Sequence, residues 1–87
     1  MTEDDLEWAR VAWEQYLWWD RHDKKVRDRI NVLIESALAT PFAGIGKTEP
    51  LRGNLAGLWS RRITREHRLV YEIRDGRLIV HQCRFHY

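Results

Sequence analysis

Two periodicities divide this chain. Between residues 23 and 40, Val26, Ile30, Leu33, Ile34 and Ala37 fall at i, i+4, i+7, i+8 and i+11, one apolar face of a helix. Arg27, Asp28, Asn31 and Glu35 take the other side. Asp23 is a capping residue at the start, and Thr40-Pro41 ends the pattern, because the residue before proline disfavours the helical region. Ahead of it, Ala9 to Asp20 predicts a first helix with Val11, Ala12, Tyr16 and Trp19 as its stripe and Trp8 and Trp13 close by. Asp20-Arg21-His22-Asp23 reads as the polar break between the two. Leu6 and Trp8 alternate with Asp5 and Glu7, the pattern of a short strand, and residues 1–5 are expected to fray.

After Gly57 the pattern changes to runs rich in Val, Ile, Leu and aromatics, which suit a pleated surface. Leu58–Ile63, His67–Ile73 and Leu78–Phe85 are separated by Thr64-Arg65-Glu66 and by Asp75-Gly76, whose glycine accepts the positive φ of a tight hairpin. An antiparallel three-stranded meander follows. Residues 41–57, punctuated by Gly44, Gly46, Pro50, Gly53 and Gly57, read as one long loop, and loops of that length are commonly functional. The expected architecture is a single α+β domain over residues 1–87, two N-terminal helices packed on one face of a twisted antiparallel sheet.

The net charge of +2 conceals a split. Residues 1–40 hold six Lys+Arg against nine Asp+Glu, residues 41–87 nine against four. Arg61, Arg62, Arg65, Arg68, Arg74, Arg77 and Arg84 all lie in the predicted meander, either as a solvated sheet face or as a cationic surface for a polyanion. No apolar run is long enough to span a membrane and none has the layout of a signal peptide, so a cytoplasmic protein is the default expectation. The lone Cys83 has no internal disulfide partner and, in an apolar strand, reads as a buried inert thiol. The five tryptophans read mainly as core, although Trp18 and Trp19 cannot both point inward.

Four histidines with one cysteine offer no zinc pattern, and neither a phosphate-binding glycine loop nor a nucleophile elbow is present. What remains is a loop carboxylate, strand arginines and a penultimate histidine. These are the parts for metal-free RNA cleavage, with Glu49 as base toward a 2′-hydroxyl, His86 as acid toward the leaving oxygen and Arg68 as the cation for the developing charge. By residue type alone the same three are more often a solvated carboxylate, a surface charge and a frayed terminus.

The run TPFAGIGKTEPLRGNLAGLWSRRITREHRLVYEI, Thr40 to Ile73, with the terminal CRFHY, resembles the YoeB toxins, a branch of the RelE-type family of bacterial toxin–antitoxin modules. Tyr16-Leu17-Trp18-Trp19 and the helix from Lys24 to Ile34 are similar too, and the likeness extends from Trp8 to Tyr87. It implies a microbial-ribonuclease-like fold and ribosome-dependent cleavage of mRNA in the decoding site, with no metal and no cofactor. It matches Glu49 to the general base, His86 to the general acid, Arg68 to the arginine at the scissile phosphate and Tyr87 to the terminal tyrosine of the site. Arg62 matches a basic strand residue and Lys47 a basic loop, and Arg52, Arg61 and Arg65 are expected to add RNA contacts. Three positions depart from the family: Arg52 stands for a common lysine, Thr48 for a proline and Phe85 for a tyrosine, so that Phe85, lacking the hydroxyl, reads as core packing. The implied partners are mRNA on the 70S ribosome and a YefM-like antitoxin with an acidic tail disordered when free, with a homodimer left open. The alternatives are a non-nuclease toxin of the same fold, such as a ParE-like gyrase poison, and an RNA-binding module without catalysis.

Overall fold

The computed structural model describes residues 5–85. The expected fraying of the first residues falls mostly on 1–4, outside that range. The elements are β1 (Leu6–Trp8), α1 (Arg10–His22), α2 (Lys24–Ala39), β2 (Glu49–Pro50), a 3-10 turn at Gly53–Leu55, β3 (Trp59–Arg62), β4 (Arg68–Arg74) and β5 (Arg77–Gln82).

Both helices form where the periodicity puts them, but the break between them is a single residue. Asp23 donates its backbone N–H to Trp19 O, ending α1, and its carboxylate accepts from the N–H groups of Lys25 and Val26, starting α2. Arg27 binds Asp20 at 2.6 Å across this corner, and that hydrogen bond holds the Asp20 carboxyl below its ordinary range. On α2 the predicted face is the buried one: Ile30, Leu33, Ile34 and Ala37 all enter the core. Each fully buried Ile or Leu there contributes about 1.5–3 kcal/mol of transfer free energy. On α1 the expected stripe is rotated. Ala12 and Trp19 are buried, whereas Val11 is 53% and Trp13 44% exposed. One step along a helix turns a side chain by about 100°, so burying Ala12 leaves both neighbours outside.

The sheet order is β1-β5-β4-β3-β2. The meander β3-β4-β5 is antiparallel as expected, and β2, inside the predicted loop, extends it. The wholly antiparallel sheet is corrected at the other edge, where β1 pairs parallel with β5. Between them the chain runs through both helices and then β2, β3 and β4, more than the long connection that a parallel pair requires. Leu69, Tyr71, Leu78 and Val80 point toward the helices and are buried with Trp19, Ile30 and Leu33. The last strand is shorter than its apolar run. A bulge between β4 and β5 shifts the register near Val70, and the chain leaves the sheet after Gln82.

Arg61, expected on an RNA-facing surface, is fully buried on the helix side, and that expectation is corrected. Its five N–H groups have five neutral acceptors. Nε donates to Tyr71 Oη (3.0 Å), Nη1 to Ser36 Oγ (2.8 Å) and Ile45 O (3.2 Å), and Nη2 to Thr40 O and Ala43 O (2.7 Å each). Ser36 and Thr40 O belong to the end of α2, where the helix dipole favours a cation. Burial raises the Tyr71 hydroxyl above its ordinary pKa while Arg61 pulls it down, and the hydroxyl donates in turn to Pro41 O at 2.6 Å.

Replacing Arg61 by Met is expected to lower the unfolding free energy by about 3–5 kcal/mol, because the acceptors stay buried without donors. Arg61→Lys should recover part of this, as an ammonium has three donors rather than five. Equilibrium urea titration tests both, and an unchanged midpoint for Arg61→Met would contradict the account. A second test concerns Cys83. Burial pushes its thiol up from 9.0 to about 12, so the fold holds the protonated form. The contribution of this group is therefore complete below pH 9.0 and is lost as pH rises toward about 12. Stability of a Cys83→Ala variant should fall less steeply across that window. Iodoacetamide should leave the native thiol untouched at pH 8 yet label it in urea.

Candidate active site

Strand register assembles the site. Paired residues share a face, so Glu49, Ser60 and Val70 form one row on the face away from the helices, and Arg62 and Arg68 form the next. Glu49 and Arg62 are diagonal neighbours, roughly 7–8 Å apart by sheet geometry. The loop before β2 is what brings Glu49 there. Gly46 has φ 86°, and a Cβ on it would lie 2.7 Å from Leu33 Cδ2, while one on Gly44 would lie 2.8 Å from Ser36 Oγ. The loop can therefore lie against α2 and the Arg61 guanidinium only with glycine at both positions. Gly46 O then accepts from Arg62 N–H at 2.6 Å, which fixes the loop to β3.

Arg62 and Arg68 are partly buried, and each has an Nε shielded from solvent with no hydrogen-bond partner among the described residues. Two such donors side by side suit an anion. Lys47, Arg52 and Arg65 are exposed around this row, Lys47 in a left-handed conformation (φ 52°) and Arg65 in the β3–β4 turn. The seven arginines do not form one surface. Arg61 is internal, Arg74 binds Glu72 at 2.5 Å and Arg77 binds Glu7 at 2.8 Å. Arg84 lies with its guanidinium carbon 3.5 Å from the ring centre of Trp18.

The C-terminal segment is tied down at successive residues. Cys83 N–H donates to Gln15 Oε1 (2.8 Å), and Cys83 O accepts from Trp19 Nε1 (2.9 Å). Phe85 N–H donates to His67 Nδ1 (2.7 Å), and Phe85 O accepts from Arg68 N–H (3.1 Å). The chain thus reaches residue 85 beside Arg68. His86 and Tyr87, the expected acid and terminal tyrosine, lie outside the described residues. Phe85 itself corrects the reading of it as core: it is 55% exposed, at φ 68°. His67 was not singled out by its sequence context, because it acts here through one ring nitrogen on a backbone amide, which leaves no trace in residue type.

The clefts do not enclose the Arg62–Arg68 row. One of about 520 Å³ is lined by Asp5, Glu35, Leu38, Ala39 and Gly76, one of about 490 Å³ by Trp18, Arg84 and Phe85 among others, beside the C-terminal segment, and one of about 390 Å³ by Trp8, Trp13, Tyr16 and Asn31 among others. None of these clefts is lined by Glu49, Arg62 or Arg68. The arrangement of those three is an open surface, which fits a polymer better than an enclosed small molecule. Among the described residues no three His, Cys, Asp or Glu side chains cluster as a metal site would, and no helix is long and apolar enough to cross a membrane.

Residues 8–87 match the family described as the YoeB-like toxin of bacterial type II toxin–antitoxin systems. The chain is 51% identical over 82 residues to toxin YoeB of Escherichia coli K12, covering 94% of this chain and 98% of that one. Among solved structures, a YoeB/ParE toxin from Agrobacterium tumefaciens superposes with a TM-score of 0.93 at 53% identity, covering 95% and 99% of the two chains. YoeB of Staphylococcus aureus, solved in complex with YefM, superposes at 0.88 with 38% identity over 94% and 95%. The same S. aureus toxin solved as a dimer gives 0.89 with 39% identity over 95% and 97%. With the same layers and similarity along nearly its whole length, this chain belongs to the YoeB-like toxins of bacterial type II toxin–antitoxin systems.

Proposed function

We propose that this toxin is a ribosome-dependent mRNA endonuclease, working by acid–base catalysis at Glu49 and His86. The observation that carries the reading is the shared face of Glu49, Arg62 and Arg68, with Phe85 hydrogen-bonded to Arg68 and His86 the next residue in the chain. The Glu49 carboxylate takes the proton of a 2′-hydroxyl. The freed oxygen attacks the adjacent phosphorus as the bond to the 5′-oxygen breaks. Protonated His86 gives its proton to that oxygen, leaving a 2′,3′-cyclic phosphate and a 5′-hydroxyl. Arg68 and Arg62 offer their guanidinium donors to the non-bridging oxygens, where negative charge builds up. Tyr87 is assigned to the same site by the family likeness alone, and Lys47, Arg52 and Arg65 hold neighbouring phosphates. A site with one base and one acid on an open face gains from a substrate already oriented, which a ribosome-bound mRNA supplies.

Glu49→Gln and His86→Gln should each slow cleavage of ribosome-bound mRNA by roughly 10²–10⁴-fold, the usual range for a lost acid or base. An RNA with sulfur at the 5′-bridging position leaves as a thiolate and needs no proton. It should restore His86→Gln and not Glu49→Gln, and restoration of the latter instead would invert the assignment. A toxin that arrests growth while ribosome-bound mRNA stays intact would point to the gyrase-directed or purely binding alternatives.

The proposed regulator is a YefM-like antitoxin, by analogy with the S. aureus complex. An acidic segment, disordered when free, would order over the Arg62–Arg68 row and cover it. Self-association into a homodimer belongs to the same reading. If the acidic segment contributes as proposed, the Kd for the antitoxin rises with salt. Affinity indifferent to ionic strength would remove charge from the interaction.

A further inference from the structure

His67 stands at a junction the functional reading leaves unused. Its backbone is held on both sides: His67 N–H donates to Thr64 Oγ1 at 3.1 Å, and His67 O accepts from Ile63 N–H at 3.0 Å. Its ring meets Trp19 edge-on, with centroids 4.8 Å apart, and faces Phe85 at 5.9 Å. The remaining directional contact is the one from Phe85 N–H to Nδ1 at 2.7 Å. An amide can donate only to a nitrogen that carries no proton, so the ring is the tautomer with its hydrogen on Nε2. Phe85 needs such a hold. It is not glycine, yet it sits at φ 68°, a region that side chains disfavour unless the surroundings impose it. Phe85 O accepts from Arg68 N–H at 3.1 Å and from Gln82 Nε2 at 3.4 Å, whereas the acceptor for Phe85 N–H is the His67 nitrogen.

We infer that His67 is a positioning residue, whose Nδ1 locks the left-handed turn at Phe85 and thereby serves the acid step proposed for His86, the next residue in the chain. The inference rests on the endonuclease reading and adds a residue that touches neither substrate nor the reacting atoms.

Two variants separate this role from plain packing. His67→Phe keeps the ring against Trp19 but removes the acceptor, and His67→Asn loses the ring but keeps an oxygen on Cγ where Nδ1 stood. With the full chain and ribosome-bound mRNA, His67→Phe should lower the single-turnover rate by about 10–100-fold, the scale of a misplaced catalytic group. His67→Asn should regain most of the rate. The sharper readout is the substrate with a 5′-bridging sulfur, whose leaving group needs no acid. It should restore His67→Phe toward wild type, as lost packing alone would not allow, and amide exchange at Phe85 should quicken in His67→Phe. If His67→Phe cuts as fast as a cutting wild type, or loses rate that the sulfur substrate does not return, the positioning role is wrong while the endonuclease reading stands. A wild-type chain that leaves ribosome-bound mRNA intact would overturn the endonuclease reading itself, and the catalytic role of His67 with it.

Discussion

The buried guanidinium of Arg61 is the contact on which the rest of this fold depends. One side chain from β3 collects acceptors from the end of α2, from the loop after it and from Tyr71 on β4. Taking a cation out of water is costly, and only full hydrogen bonding makes it tolerable. Each acceptor is therefore a constraint: the loop over residues 40–45 must turn its carbonyls inward, and Gly44 and Gly46 must stay without side chains for it to come close enough. A consequence reaches the surface. With the loop held in that shape, Gly46 docks on Arg62, the chain enters β2, and Glu49 falls beside the arginine row rather than at the end of a free loop.

The second constraint acts on the C-terminal segment. An apolar run that reads as strand to Phe85 leaves the sheet after Gln82, because Cys83 finds partners on α1 at both of its backbone polar groups. Trp19 links the two regions: its indole N–H binds Cys83 O, and its ring takes the edge of His67, which holds Phe85. The segment from Cys83 to Phe85 is thus held by the helix layer from one side and by the start of β4 from the other. Neither contact would exist without the core that seats Trp19.

The strand arginines of the basic half do not share one role. One arginine is internal scaffolding, two are paired with glutamates toward the β1 edge of the sheet, and one stacks on Trp18. Arg62 and Arg68, with shielded Nε donors, are the pair whose surroundings suit a phosphate. Exposed pairs such as Arg77–Glu7 contribute little to stability.

By itself the sequence determined the elements whose signals are local. The apolar face of α2, the Asp23 cap, the Asp75-Gly76 turn and the antiparallel meander are matters of period and of turn chemistry within a few residues, and all are present. Family likeness added Glu49, Arg62 and Arg68, which the register then brings to one face. Only the tertiary structure decided the rest. The parallel pairing of β1 with β5 joins residues at opposite ends of the chain, and no local pattern encodes which edge a three-residue strand will meet. Arg61 and Arg62 are adjacent and identical in type, yet one is sealed in the core and the other faces the candidate site, because successive strand residues point to opposite faces and only the position of the helices tells which face is inside. Phe85 and His67 make the same point from the other direction. Their contact runs through a backbone amide and a ring nitrogen, and such a bond depends on where the chain has been brought, not on which residues it contains.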